Sequence, residues 1–91
     1  MFQATVTQVI DGDTFDISPG WRWENEEGSR IRIANYDAPE LRAQGGGAAK
    51  SRLERPILRQ MVSIGNGYRV DRGRLVCDVF LNGRLLRDSL S

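Results

Sequence analysis

The stretch Val-Ile-Asp-Gly-Asp-Thr-Phe, residues 9–15, decides how this chain is read. Two acids, Asp11 and Asp13, flank Gly12 inside sequence that otherwise looks like β-structure. Asp-Gly is a strong hairpin signal, because both residues accept the backbone angles of a tight turn. Two carboxylates at a hairpin tip also suit an oxygen-ligand metal site. Before the pair, QATVTQV (3–9) alternates with β-branched residues and predicts a strand. After it, Thr14 to Ile17 predicts a second strand.

Working outward, Pro19-Gly20 punctuates the second strand, and GWRWENEEG (20–28) predicts a hairpin arm and tip. Trp21 and Trp23 alternate with Arg22 and Glu24, so both indoles face one side, as a base-stacking platform, a dimer contact or core. RIRIANY (30–36) predicts a third strand, with Ile31 and Ile33 on one face and Arg30 and Arg32 on the other. Pro39 ends it by removing a donor and restricting Ala38. Gly45 to Gly47 form a joint, and a helix is expected from about Ala48 to Val62. Leu53, Ile57, Met61 and Ile64 recur there at helical spacing. Pro56 should kink that helix, at a cost of ~3 kcal/mol in a regular one.

Gly65-Asn66-Gly67 is expected to break the chain again, leaving a short segment from Ile64 to Asp71. RLVCDVFLNG (74–83) alternates as a strand and turns at Asn82-Gly83, and Arg84 to Ser91 begins another element. Three strands, a helix, then strands, without repeats or a linker, make one α+β or small-barrel domain over residues 1–91.

Composition narrows the chemistry. Ninety-one residues form one small domain, 40% hydrophobic and 27% charged, as in soluble globular proteins. No apolar run reaches membrane-span length, and MFQATVTQVI lacks the basic-then-apolar pattern of a secretory signal. The expected location is the cytoplasm, unless a leader was removed. Cys77 is the only cysteine and there is no histidine, so an internal disulfide, a cysteine-based zinc site and imidazole catalysis are excluded. Any metal is held by oxygen, which favours calcium or magnesium. The net charge of +1 does not announce nucleic-acid binding. Twelve of the thirteen basic residues are arginine, which reflects either residue usage or bidentate phosphate recognition.

The polar residues that flank strand ends are Asp13, Arg32, Asp37, Glu40 and Arg74. Three acids and two arginines there suit a metal site beside a phosphate clamp, and so phosphodiester hydrolysis. Each also has a structural reading: Asp13 and Asp37 as turn residues, Glu40 as a helix-start acid, Arg32 as a solvated strand residue.

VIDGDTF, RIRIANYDAPE and DRGRLVCDVFLNG together resemble the signatures of the staphylococcal nuclease-like (thermonuclease) family, in order and spacing over almost the whole chain. The resemblance implies an OB-fold, a five-stranded β-barrel with one helix between strands 3 and 4. It implies that Asp13 and Asp37 are calcium ligands with the Ala38 carbonyl. Arg32 would then hold the scissile phosphate, Arg74 stabilise the transition state, and Glu40 orient or deprotonate the attacking water. Asp11 matches an acid of secondary role. The implied activity is calcium-dependent hydrolysis of DNA and RNA to 3′-phosphates.

Several positions depart from the family. Arg72 stands where relatives carry tyrosine, so a stacking or phosphate contact is lost or replaced, with Arg72 as the substrate-binding candidate. Segment 64–71 is expected to lack a full fourth strand. Pro56 is unusual for the helix, and Asn35 replaces a common glycine, a mild change because asparagine tolerates left-handed angles. The C-terminal helix is expected to be truncated, exposing an apolar patch that self-association covers. A homodimer through Trp21, Trp23 or Leu85 to Leu90 is the corresponding expectation. The alternatives to a nuclease are a catalytically idle OB-fold nucleic-acid-binding module and an oligomerising domain.

Overall fold

A computed structural model describes residues 1–90 of the chain. The alternation read in the first residues becomes β1 (Phe2–Asp11), with Ala4, Val6 and Val9 buried. Gly12 and Asp13 turn it into β2 (Thr14–Trp23), and β3 follows (Glu26–Ile33). The helix α1 (Gly46–Ile57) comes next, then β4 (Met61–Asp71), β5 (Arg74–Leu81), the two-residue β6 (Arg84–Leu85) and α2 (Leu86–Leu90).

Antiparallel pairing runs in the order β3-β2-β1-β4-β5-β6. A parallel pairing of β3 with β5 closes the sheet into a barrel of five strands, β1 to β5. Closure removes the open edges that an antiparallel meander would present. It also aligns Arg30 with Arg74 and Arg32 with Val76, which brings both predicted catalytic arginines onto neighbouring strands. The core inside the barrel includes Val6, Phe15, Ile31, Ile33, Ile64 and Val79. Leu53 and Ile57 of α1 are fully buried among them, so the helix plugs the barrel with the expected stripe. This is the expected OB-fold, with its helix between β3 and β4.

The structure corrects several local expectations. The helix stops at Ile57 rather than Val62. Pro56 therefore lies in the last turn, where one lost backbone bond matters less than in mid-helix. Leu58 is already extended and Arg59 is left-handed, with φ 64°. Met61 and Ile64 belong to β4, where Met61 pairs with Thr5 and Ile64 with Phe2.

Segment 64–71 is no stub: β4 is eleven residues long. Gly65-Asn66-Gly67 does not break it but forms irregularities in its pairing with β5. A Cβ on Gly65 would lie 2.8 Å from the Phe80 ring, and one on Gly67 2.5 Å from the Trp23 indole. These glycines let aromatic rings cross the strand.

Pro19-Gly20 likewise does not end β2; pairing with β3 skips from Asp16 to Trp21 and resumes. The dimer surface expected at the tryptophans is mostly interior. Trp21 is 3% exposed and donates its indole N–H to the Arg30 carbonyl at 2.8 Å, while Trp23 is half-buried against the core. Leu86 and Leu90 of the expected C-terminal contact are buried too, turned inward by α2. No helix among the described residues is long and apolar enough to cross a membrane.

Candidate active site

The β1–β2 turn places Asp13 where β3 ends. Asp13 is 7% exposed and fully engaged. Its Oδ1 accepts the Thr14 hydroxyl at 2.9 Å, and its Oδ2 accepts the Ala38 N–H at 3.1 Å. The Arg32 Nη2 lies 3.5 Å from the same Oδ2. Asp11 supports the turn by accepting the Asp13 N–H at 3.2 Å. Burial, and then the neighbouring Asp11 carboxylate, raise the Asp13 pKa against the opposing pull of the Ala38 N–H, Thr14 and Arg32. A buried carboxylate so placed gains from added positive charge.

Arg32 leaves the outer face of β3 and folds back on the chain that follows it. Its Nη1 donates to the Ile33 carbonyl at 2.6 Å and to the Tyr36 carbonyl, and its Nη2 to Asp37 Oδ1. Asn35, left-handed with φ 57°, makes the bend that carries these acceptors round. Asp37 itself is exposed. Arg74, at the start of β5, is held by Asp71: Nε donates to its carbonyl at 3.2 Å and Nη2 to Oδ2 at 2.9 Å. Its Nη1 is turned toward Thr14, 3.5 Å from the hydroxyl. Arg72 and Gly73 are both left-handed, with φ 56° and 78°, the pattern of a type I′ hairpin, so Arg72 stands at the tip between β4 and β5.

The residues singled out for metal, phosphate and water line one cavity of about 280 Å³. Its walls carry the carboxylates Asp11, Asp13, Asp37 and Glu40, the guanidinium groups of Arg32, Arg72 and Arg74, and Ala38. Every residue singled out from the sequence for metal, phosphate or water is thus brought together. Two supporting residues were not singled out. Thr14 hydrogen-bonds Asp13 and faces Arg74, and its signal was its place beside Asp13. Asp71 fixes the Arg74 fork, and its signal was the three-residue spacing from Arg74.

The donor set fits a hard cation in kind, since it offers carboxylate and carbonyl oxygens and no nitrogen or sulfur ligand. Its protein share is small. Among the described residues no three acidic, histidine or cysteine side chains cluster closely enough to hold an ion unaided. Asp13, Asp37 and the Ala38 carbonyl would leave most of the coordination to water and substrate.

No protein-family profile matches the chain. It is 35% identical over 63 residues to a micrococcal nuclease of Shigella flexneri. The aligned part is 69% of this chain and 33% of that protein, so the chain spans about one third of its relative's length. Taken with the closed barrel and the three motifs meeting at one cavity, this match is consistent with a staphylococcal nuclease-like domain.

Proposed function

We propose that this domain is a calcium-dependent nuclease that hydrolyses phosphodiester bonds of DNA and RNA. The observation that carries the reading is the single cavity shared by Asp13, Arg32, Asp37, Ala38, Glu40 and Arg74. Asp13, Asp37 and the Ala38 carbonyl would hold Ca²⁺, which supplies Lewis-acid polarisation of a phosphoryl oxygen when bound. Arg32 and Arg74 present guanidinium N–H groups to the phosphate, and their charge opposes the negative charge that builds in the transition state. Glu40 takes a proton from the attacking water. The new bond joins the water oxygen to phosphorus, and the bond to the 5′ oxygen breaks. That oxygen leaves with a proton as an alcohol, and a 3′-phosphate remains. Arg72 at the hairpin tip is the substrate contact in the place of the family's tyrosine.

Arg32 now shares its Nη2 with Asp37. Substrate phosphate and Asp37 therefore compete for that group, and a cation taken up by Asp37 releases it. The test has two readouts, thermal stability and cleavage. A ligand bound only by the native state at a hundredfold excess over its Kd adds about 2.7 kcal/mol of stability. Calcium should raise the melting temperature of the wild type and not of Asp13→Ala, and single-stranded DNA should be cut only with calcium present. A salt-dependent affinity for DNA without cleavage identifies an idle binding module instead. Absence of both a thermal shift and cleavage ends the nuclease reading.

A further inference from the structure

We propose that the outer face of α1, with Arg52, Arg55 and the following Arg59, is a track that holds the phosphate backbone of a nucleic-acid strand well beyond the candidate active site. The inference rests on the nuclease reading of the cavity and extends it to substrate length. Buried Gly46, Ala49, Leu53 and Ile57 form the inner stripe of the helix. Arg52 and Arg55 fall outside that stripe and are exposed, as is Arg59. None of the three guanidinium groups has a hydrogen-bond or ion-pair partner among the described residues. The one acid on the helix, Glu54, lies 4.0 Å from Lys50. Residues 50–59 hold four basic side chains and one acid, whereas the rest of the chain holds nine basic and eleven acidic ones. Without that stretch the chain would be net negative. A phosphate backbone is the complement of a positive face concentrated in this way.

The helix begins at the wall of the cavity. A Cβ on Gly46 would lie 2.0 Å from the Glu40 carbonyl oxygen, and one on Gly12 2.7 Å from the Ala49 Cβ. From Ala49, Arg52 and Arg55 stand about 5 and 9 Å further along the axis, at ~1.5 Å per residue. Stacked nucleotides advance about 3.4 Å each, so these side chains reach phosphates several nucleotides from the cleaved bond. Arg55, in the last turn, also complements the helix dipole. That does not account for Arg52 in mid-helix or for Arg59 beyond the helix end. Arg59 is left-handed, with φ 64°, where glycine would sit without strain. Its N–H donates to the Val6 carbonyl at 2.9 Å, and the Gln60 N–H donates to the Ile57 carbonyl at 2.8 Å. The barrel thus fixes the backbone that presents the third guanidinium. The fold alone would be served better by glycine there.

The experiment measures binding of two fluorescent probes by anisotropy, with calcium present: a thymidine trinucleotide and an oligothymidylate of about twelve nucleotides. A Glu40→Gln background keeps the probes intact. Arg52→Gln combined with Arg55→Gln should weaken binding of the long probe about tenfold and lower its salt slope by about 1.4, at ~0.7 per phosphate contact on a single strand. The trinucleotide, confined to the cavity, should bind both forms alike. Glutamine is a good helix former and both positions are exposed, so the fold survives. Arg84→Gln, exposed but on β6, changes the net charge without touching α1 and should bind both probes as the background does. Arg59→Gly removes strain and charge together, so it should melt no lower than the background and still bind the long probe less tightly. If the double variant binds the long probe like the background, the track is overturned, even where the wild type cleaves DNA. An equal loss for both probes, or an equal loss in Arg84→Gln, also overturns it, because the effect is then one of overall charge. Unchanged DNA binding with lost attachment to phosphatidylserine vesicles overturns it in favour of a membrane surface. If the length-dependent loss appears while no form of the protein cleaves, the track stands and the nuclease reading fails.

Discussion

Gly12→Ala tests how the turn holds the site. Gly12 is buried and its φ is not positive, so the turn does not require glycine for its backbone angles. The requirement is space. A Cβ at position 12 would lie 2.6 Å from the Ala38 Cβ and 2.7 Å from the Ala49 Cβ. Carbon atoms rest at about 3.5–4.0 Å, so the β1–β2 turn, the segment after β3 and helix α1 must part by roughly 1 Å. Overpacking of this kind costs ~1–3 kcal/mol. At ~4–8 °C per kcal/mol for a domain of this size, the melting temperature should fall by roughly 4–24 °C. Calcium should also stabilise the variant less than the wild type, because the displaced Ala38 carries both a bond to Asp13 and the proposed carbonyl ligand. Gly47→Ala is the control: nothing lies within 4 Å of its Cβ, and it sits inside α1. It lies in the first turn, so replacing it should stabilise the protein by less than the ~1 kcal/mol of an interior glycine. Thermal denaturation followed by circular dichroism, with and without calcium, reads both variants. Gly12→Ala melting with the wild type, or both variants shifting alike, would refute the close-approach argument.

Arg74→Lys keeps the charge but cannot hold Asp71 through two nitrogens while a third faces Thr14; turnover on single-stranded DNA should fall ~100–1000-fold, and wild-type turnover would remove Arg74 from the reaction. Asp16 accepts Arg30 Nε at 2.9 Å, and that bond holds its pKa below the usual 3.8. The unfolded chain therefore takes up this proton first. The contribution is present above the unfolded value and is lost as pH falls through the lower folded one. Asp16→Asn should flatten the loss of stability below about pH 4, weakly and in a salt-dependent way because Arg30 is 44% exposed; an unchanged acid-denaturation curve would contradict this. Leu53→Ala opens a cavity at a fully buried position and should cost ~2–5 kcal/mol in urea denaturation, against near-neutral change at the exposed Met61.

What the sequence determined by itself was local. Alternation marked the strands β1, β3 and β5, because side chains of a strand face two sides in turn. Asp-Gly and Asn-Gly marked turns, and the Leu53–Ile57 pair marked the buried face of α1. The residues of the cavity were legible through three motifs in register, even though β3 and β5 are distant in the chain. Tertiary structure decided whatever depended on a partner approaching from elsewhere. Gly65-Asn66-Gly67 reads locally as a break, yet it is strand, because Phe80 and Trp23 lie across the glycines. Trp21 on an alternating arm reads as surface or core alike, and only its pairing with β3 put the Arg30 carbonyl within reach of its indole. Gly12 reads as a turn residue, whereas its absent side chain makes room for Ala38 and Ala49. Glycine and tryptophan are the residues whose roles local pattern leaves open: one is defined by the space a neighbour takes, the other by the space it must find.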